Sequence, residues 1–274
     1  MPLSALALAL GAALLHATWN VLLAGASDSE AATAVATLAG VALLAPVAIV
    51  TGGVESAALP FAAASAALHV AYLALLARAY HCGEVSVVYP VSRGVAPVLV
   101  LAFGAAALGE GASAAQVAGV LAVSAGVFLV QSGGTKLARR DLLFGLTIAA
   151  VIAAYTLVDA EGVDHSRAPA YLALLLSPAA VIYAGALWIG GRGPALRAEL
   201  RPRALITGAF VVGAYCSVLG ALQLANAAPV AAVRESSVVI AALMAAAFLH
   251  EHVGSRRLGG AALVAGGVAA VALG

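Results

Sequence analysis

The chain has 274 residues, of which 64% are apolar and 9% charged, with a net charge of +1 and a mean hydropathy of +1.09. Soluble domains average about 25% charged residues, so this supply cannot build a water-facing surface and the lipid bilayer is the expected solvent. The scattered basic residues exclude a nucleic-acid partner, which needs a concentrated cationic face. The two cysteines, Cys82 and Cys216, form neither a disulfide framework nor a metal cluster.

A helix needs about 20 mostly apolar residues to cross the hydrocarbon core, and ten stretches reach that length. The first, Leu3–Ala24, has no basic leader and is interrupted by His16, Trp19 and Asn20, so it reads as a retained span rather than a cleaved signal. The second, 31–50, follows the polar connection Ser27-Asp28-Ser29-Glu30. The third, 57–80, carries Tyr72, and the fourth, 85–108, carries Tyr89, Ser92 and Arg93 before Glu110. The fifth, 114–130, has Gly119 and Gly126 seven residues apart. The sixth, 142–160, holds Tyr155 and Asp159; the seventh, 168–189, is plainly apolar; the eighth, 204–225, holds Tyr215. Arg234 and Glu235 lie in the ninth, 229–249, which runs into Glu251, and Gly260 and Gly267 lie in the tenth, 258–273. The connections are too short for a soluble domain. Membrane β-strands alternate apolar and polar residues over about 10 positions, which continuous runs of twice that length exclude.

The second half echoes the first. Arg93 precedes Glu110 by 17 residues (110 − 93) and Arg234 precedes Glu251 by 17 (251 − 234), a common shift of 141 (234 − 93) that also carries Gly119 and Gly126 onto Gly260 and Gly267. His16 and Asn20 map onto Tyr155 and Asp159 with a shift of 139 (155 − 16). Arg and Glu are rare here, so their coincidence is informative. The expected organisation is all-α, with ten transmembrane helices as two inverted five-helix repeats, 1–132 and 133–274, forming one transport unit. Arg78, Lys136, Arg139, Arg140, Arg192, Arg197, Arg201, Arg203, Arg256 and Arg257 fall at odd-numbered connections and Arg167 at an even one. The positive-inside rule then places odd connections in the cytoplasm and both termini outside.

A charge at membrane depth costs about 2.5–3.5 kcal/mol on insertion scales. Arg93, Asp159, Arg234 and Glu235 stand at that depth, and unpaired they would together cost on the order of 10 kcal/mol. Pairing, a wet cavity or snorkelling must relieve this. Seventeen residues set each Arg roughly 25 Å from its helix-end Glu, near enough to the far interface to snorkel. Pro97 favours the cavity, because it denies the Arg93 carbonyl its usual donor, and broken backbone is tolerated where it faces protein or water. His16 and Asn20 share one helix face, as do Tyr155 and Asp159, suited either to a cavity or to a helix-to-helix hydrogen bond. Tyr72, Tyr89 and Tyr215 fit a small-molecule site or an interfacial belt. Glu110 and Glu251 are gates or simply solvated helix ends. The glycine pairs allow close helix contact, within the protein or between copies. His250-Glu251-His252 lacks zinc-protease spacing, and neither metal nor cofactor is expected.

On His16-Ala17-Thr18-Trp19-Asn20, on Tyr89-Pro90-Val91-Ser92-Arg93-Gly94, and on Gly109-Glu110 and His250-Glu251 closing the fourth and ninth helices, the chain resembles the EamA-type branch of the drug/metabolite transporter superfamily along essentially its whole length. That resemblance implies a ten-helix inverted repeat and export of a small metabolite, such as an amino acid, without ATP hydrolysis. It also implies cytoplasmic termini, against the charge count. The second half departs by having Arg234-Glu235 where the first has Arg93-Gly94.

The expectation is therefore a secondary transporter rather than an enzyme, multi-pass in a bacterial inner membrane and working as a monomer or homodimer. Its small-molecule substrate would be contacted by the candidates named above, Ser92 included, and Glu235, Asp159 or His16 would carry a coupling proton. Two competing readings are a membrane-embedded enzyme acting on a lipid or isoprenoid, which needs clustered carboxylates or a His–Asp pair at an interface, and a non-transporting subunit.

Overall fold

Inside hydrocarbon every backbone N–H and C=O must be satisfied within its own segment. The computed structural model of the chain describes residues 1–82, 84–131, 138–249 and 254–274, and meets this demand with helices. They are α1 (Leu3–Ala24), α2 (Ser29–Thr51), α3 (Ala58–Cys82), α4 (Val85–Phe103), α5 (Ala114–Gln131), α6 (Arg139–Val163), α7 (Ala168–Leu187), α8 (Gly193–Ala198), α9 (Pro202–Leu222), α10 (Ala227–Arg234), α11 (Ser236–Leu249) and α12 (Ser255–Leu273). Among the described residues they make ten segments long and apolar enough to cross a membrane, and the one isolated strand-like bridge joins Val54 and Ser166. The all-α expectation holds.

Some segment edges follow local chemistry. Asp28 starts α2 by accepting the Ala31 N–H at 3.0 Å, a side-chain cap. Gly52 and Gly53, at φ of 55° and 75°, turn the chain after α2 where a side chain would be strained. Two segments differ from the apolar-run reading. The seventh passes through a π-helical turn, Trp188–Arg192, with Gly191 at φ 82°, and reaches Ala198. The glycine-rich stretch at residue 190 and beyond, where the apolar run stops, bends the helix instead of ending it. The ninth begins at Ala227, and its regular winding is interrupted at Glu235, between α10 and α11. There the Glu235 and Val238 N–H groups donate three residues back, to Ala232 and Glu235, tightening the turn.

The usual distribution of side chains is inverted, as lipid demands. Leu14, Leu43, Val47, Leu121, Val181, Ile206 and Leu243 point outward, while the interior is built largely of Ala, Val and Gly. Small interior residues bring backbones close. A Cβ placed on Gly119 would lie 2.7 Å from the Gly267 carbonyl oxygen, and one on Gly126 would lie 2.7 Å from that of Gly260. Position rises along α5 as it falls along α12, so the two run antiparallel, and the glycine pairs serve contact within the protein. Gly40 and Gly208 join α2 to α9 in the same manner. The other pairings come in matched sets: α1 on α9 and α3 on α6, α4 on α6 and α1 on α10 and α11, α2 on α9 and α3 on α7. Each set turns into itself when the first five spans are exchanged for the last five.

Both termini lie on one face, where the Met1 amine donates to the Ala272 carbonyl at 3.1 Å. Several ties cross this terminal face. Glu110 Oε1 accepts the Ala227 N–H at 2.9 Å, Asn226 donates to the Gly111 carbonyl at 3.1 Å, and Gln223 donates to the carbonyls of Val163 and Ser166 at 2.9 and 3.0 Å. On the opposite, distal face Arg192 pairs with Asp28 and Glu30, and Ser27 donates to Glu199 at 2.8 Å.

Candidate functional site

At mid-depth α1, α4 and the break between α10 and α11 meet. Arg93 Nε lies 3.2 Å from Glu235 Oε2, and Arg234 Nη2 lies 3.6 Å from Glu235 Oε1. Arg93 is 4% exposed, Arg234 6% and Glu235 0%, so neither arginine snorkels. Arg93 Nη2 donates to His16 Nε2 at 2.9 Å. A guanidinium can only donate, so His16 accepts with that nitrogen and is neutral, carrying its proton on Nδ1. The Tyr89 ring lies 5.9 Å from the Arg93 guanidinium, and Trp19 meets the His16 ring edge-on at 4.9 Å.

A second polar group forms where α3, α6, α7 and α9 meet. Asp159 accepts from the Tyr171 hydroxyl at 3.2 Å and from the Tyr215 hydroxyl. His69 Nδ1 lies 2.8 Å from the Ser65 carbonyl, and its ring packs against Tyr155 at 4.3 Å and against Tyr215 at 5.4 Å. Tyr72 meets Tyr155 edge-on at 6.2 Å.

Between the two groups lies a cavity of about 150 Å³, lined by His16, Trp19, His69, Tyr72, Arg93, Tyr155, Tyr215 and Arg234 and by apolar side chains such as Ala12, Leu175, Ala179, Ala180 and Val218. A neighbouring cavity of about 260 Å³ shares His16, Trp19, Tyr72 and Arg93, and continues past Asn20, Tyr89 and Tyr183 to Ala24, Ser29, Glu30 and Ala77. Those last residues sit where α1, α2 and α3 approach the distal face. The two cavities thus share a wall that includes Arg93, and the outer one extends towards that face.

Residues 140–273 match the family model described as the EamA-like transporter family. This half of the chain belongs to that family. The EamA match begins in the first turn of α6 and ends with α12, so it covers the last five spans. Members of the EamA family are transporters, and this chain, with ten helices long and apolar enough to cross a membrane, is a multi-pass membrane protein whose last five spans match that family. A crystal structure with 20% sequence identity superposes on it with a TM-score of 0.79, covering 100% of this chain and 98% of its own, which shows a shared fold for both halves. No curated protein matches by sequence.

His16, Trp19, Tyr72, Arg93, Tyr155, Tyr215 and Arg234 converge on the inner cavity, and Asn20 and Tyr89 on the outer one. Asn20 also donates to the His16 carbonyl at 2.8 Å. Glu235 lies beneath the two arginines. Asp159 is held behind Tyr215, and Ser92 donates to the Tyr89 carbonyl at 2.9 Å; neither is among the lining residues. Glu110 ties the terminal face, and Glu251 falls outside the described residues. Among the described residues no group of three or more His, Cys, Asp or Glu could hold a metal ion. Sequence reasoning passed over Ser65, His69 and Tyr171. The first two had a signal: Ser65, His69 and Tyr72 are spaced by four and three, one polar face on an otherwise apolar helix.

Proposed function

We propose that this protein is a secondary transporter that exports a small metabolite, such as an amino acid or related compound, across a bacterial inner membrane by alternating access. One observation carries the reading: a mid-depth cavity walled by two buried arginines adjoins a second cavity whose lining reaches towards the distal face, and among the described residues no lining residue of either comes from the terminal-face connections, which hydrogen bonds from Glu110, Asn226 and Gln223 tie together. A midplane site approached from one side at a time is what alternating access requires, and this lining supports it. The matched helix pairings support an inverted repeat as the means of exchanging the two states. The distal face bears most of the basic connections, so the positive-inside rule assigns it to the cytoplasm, and a cavity facing that side is in the loading position of an exporter. Glu235, Asp159 and His16 remain the candidates for a coupling proton. Among the described residues, the cavity wall holds no pair of carboxylates of the kind a lipid-processing enzyme would use.

The test is counterflow in proteoliposomes loaded with a mixture of amino acids and small organic acids, read by mass spectrometry of the external medium. Ala180→Phe places a ring in the inner cavity without touching a charge. It is expected to abolish exchange at normal insertion levels. Undiminished exchange in that variant, or none in the wild type with any member of the mixture, refutes the reading.

A further inference from the structure

The arginine cluster carries a charge imbalance that the protein leaves open. Two guanidiniums share one carboxylate, Glu235, and the sharing is unequal. Arg93 has the closer contact at 3.2 Å and gives Nη2 to His16. Arg234 has only the 3.6 Å approach and no contact like the Arg93–His16 one, and among the described residues the buried Nε of both guanidiniums has no hydrogen-bond partner. His16 cannot supply the missing negative charge: an imidazole accepting from a guanidinium is neutral, and protonating it would only add positive charge. Asp159, the other carboxylate of the central region, is occupied by Tyr171 and Tyr215 and stands outside the cavity wall. The wall therefore presents one cation in excess of its carboxylate, at Arg234, 6% exposed, in a surface made mostly of aromatic and aliphatic side chains such as Trp19, Tyr155, Leu175 and Val218.

We infer that the cavity takes a monocarboxylate with a small apolar body, its carboxylate lying against Arg234. This rests on the transport reading and narrows its substrate class. A single negative charge brings the cluster of two arginines and one glutamate to neutrality, whereas a dianionic phosphate overshoots. A guanidinium fork also matches the planar carboxylate with two parallel hydrogen bonds. An ammonium group would sit in the field of two guanidiniums, and among the described residues the inner wall has no carboxylate to receive it. An α-amino acid gains from its carboxylate and loses from its amine, so it binds less tightly than the acid lacking the amine.

The experiment uses the full-length protein in detergent, carrying Trp188→Phe so that Trp19, in the cavity wall, is the fluorescent reporter. It is titrated with hexanoate, hexanamide, hexylamine and norleucine, which share one carbon skeleton and differ in charge. Hexanoate is expected to bind at least about tenfold more tightly than the amide and the amine, with norleucine between, and Arg234→Gln to erase the preference for acid over amide. Equal binding of acid and amide, or tightest binding of hexylamine or norleucine, overturns the inference on the wild-type cavity alone, whatever the variant does. Proteoliposomes separate the two layers of argument. Movement of norleucine or hexylamine without hexanoate refutes the substrate class and leaves transport standing. Binding of hexanoate with no compound moved refutes transport and leaves the site.

Discussion

Glu235→Gln is the sharpest test of the buried cluster, because one atom type is changed and the geometry is conserved. Glu235 stands 3.2 Å from Arg93 and 3.6 Å from Arg234. At an effective dielectric near 20, each contact corresponds to roughly 5 kcal/mol of Coulomb attraction, much of it offset by the desolvation of the charges. The net loss on removing one partner of a buried pair is about 3–5 kcal/mol, since the remaining charges stay in place unneutralised. For a chain of this size each kcal/mol moves the unfolding midpoint by roughly 2–4 °C, so a fall of roughly 6–20 °C is expected. The assay is thermal unfolding in detergent, followed by intrinsic fluorescence. Glu235→Gln combined with Arg234→Gln returns the cluster to its original net charge and should recover at least half of the loss. A Glu235→Gln midpoint within about 1 °C of wild type would mean that the arginines are solvated rather than buried, and the argument from charge would fail.

Three further expectations are accessible by the same means or by labelling. Gly126→Val drives a side chain against the Gly260 carbonyl and should destabilise by about 1–3 kcal/mol, whereas Gly185→Ala, with no atom within 4 Å of its new methyl, should be neutral or mildly stabilising; equal midpoints for both would deny the close contact. At the distal face, burial alone would raise the Asp28 carboxyl, but the Ala31 N–H and the Arg192 guanidinium outweigh it and hold it below the usual carboxylate range. A depressed value means that the stabilisation is complete above the unfolded value, near about 3.9, and is lost as pH falls through the folded one. Arg192→Ala should therefore lower the midpoint at neutral pH by the equivalent of about 1 kcal/mol, the gap to wild type closing below about pH 4; a gap independent of pH rejects the pairing. Finally, with Cys82 and Cys216 replaced by Ser, a cysteine at Ser56 should react with an impermeant maleimide in intact cells and one at Ser27 only after permeabilisation; the reverse pattern places both termini in the cytoplasm.

Much of the architecture was readable because lipid leaves few solutions. A run of 20 apolar residues admits one conformation, and the rare Arg and Glu mark matching places in the two halves. The convergence of His16, Arg93 and Tyr155 was legible for the same reason, since groups this polar need shelter. What escaped depended on neighbours remote in the chain. Tyr171 is plain in its own helix and becomes part of the site only because its hydroxyl meets Asp159. The bend at Gly191 looked like an end because glycine marks both, and only packing against α2 decides between them. Ser92 looked like a cavity residue from its neighbours, yet its hydroxyl has a nearer carbonyl in its own helix, the local bond that short polar side chains make readily.

The glycine seam between α5 and α12 limits how this molecule can move. With the Val264 and Val271 methyl groups already filling the notches beside Gly126 and Gly119, a slide of one residue would push them into a carbonyl, and no layer of side chains is present to act as a bearing. These two helices form a fixed keel. Any change in which end of the cavity is open must be carried by the other eight spans, and the places where their backbones depart from regular winding, at Gly191, at Glu235 and at Gly104, where α4 passes into the π-helical turn Gly104–Leu108, are where that bending would concentrate.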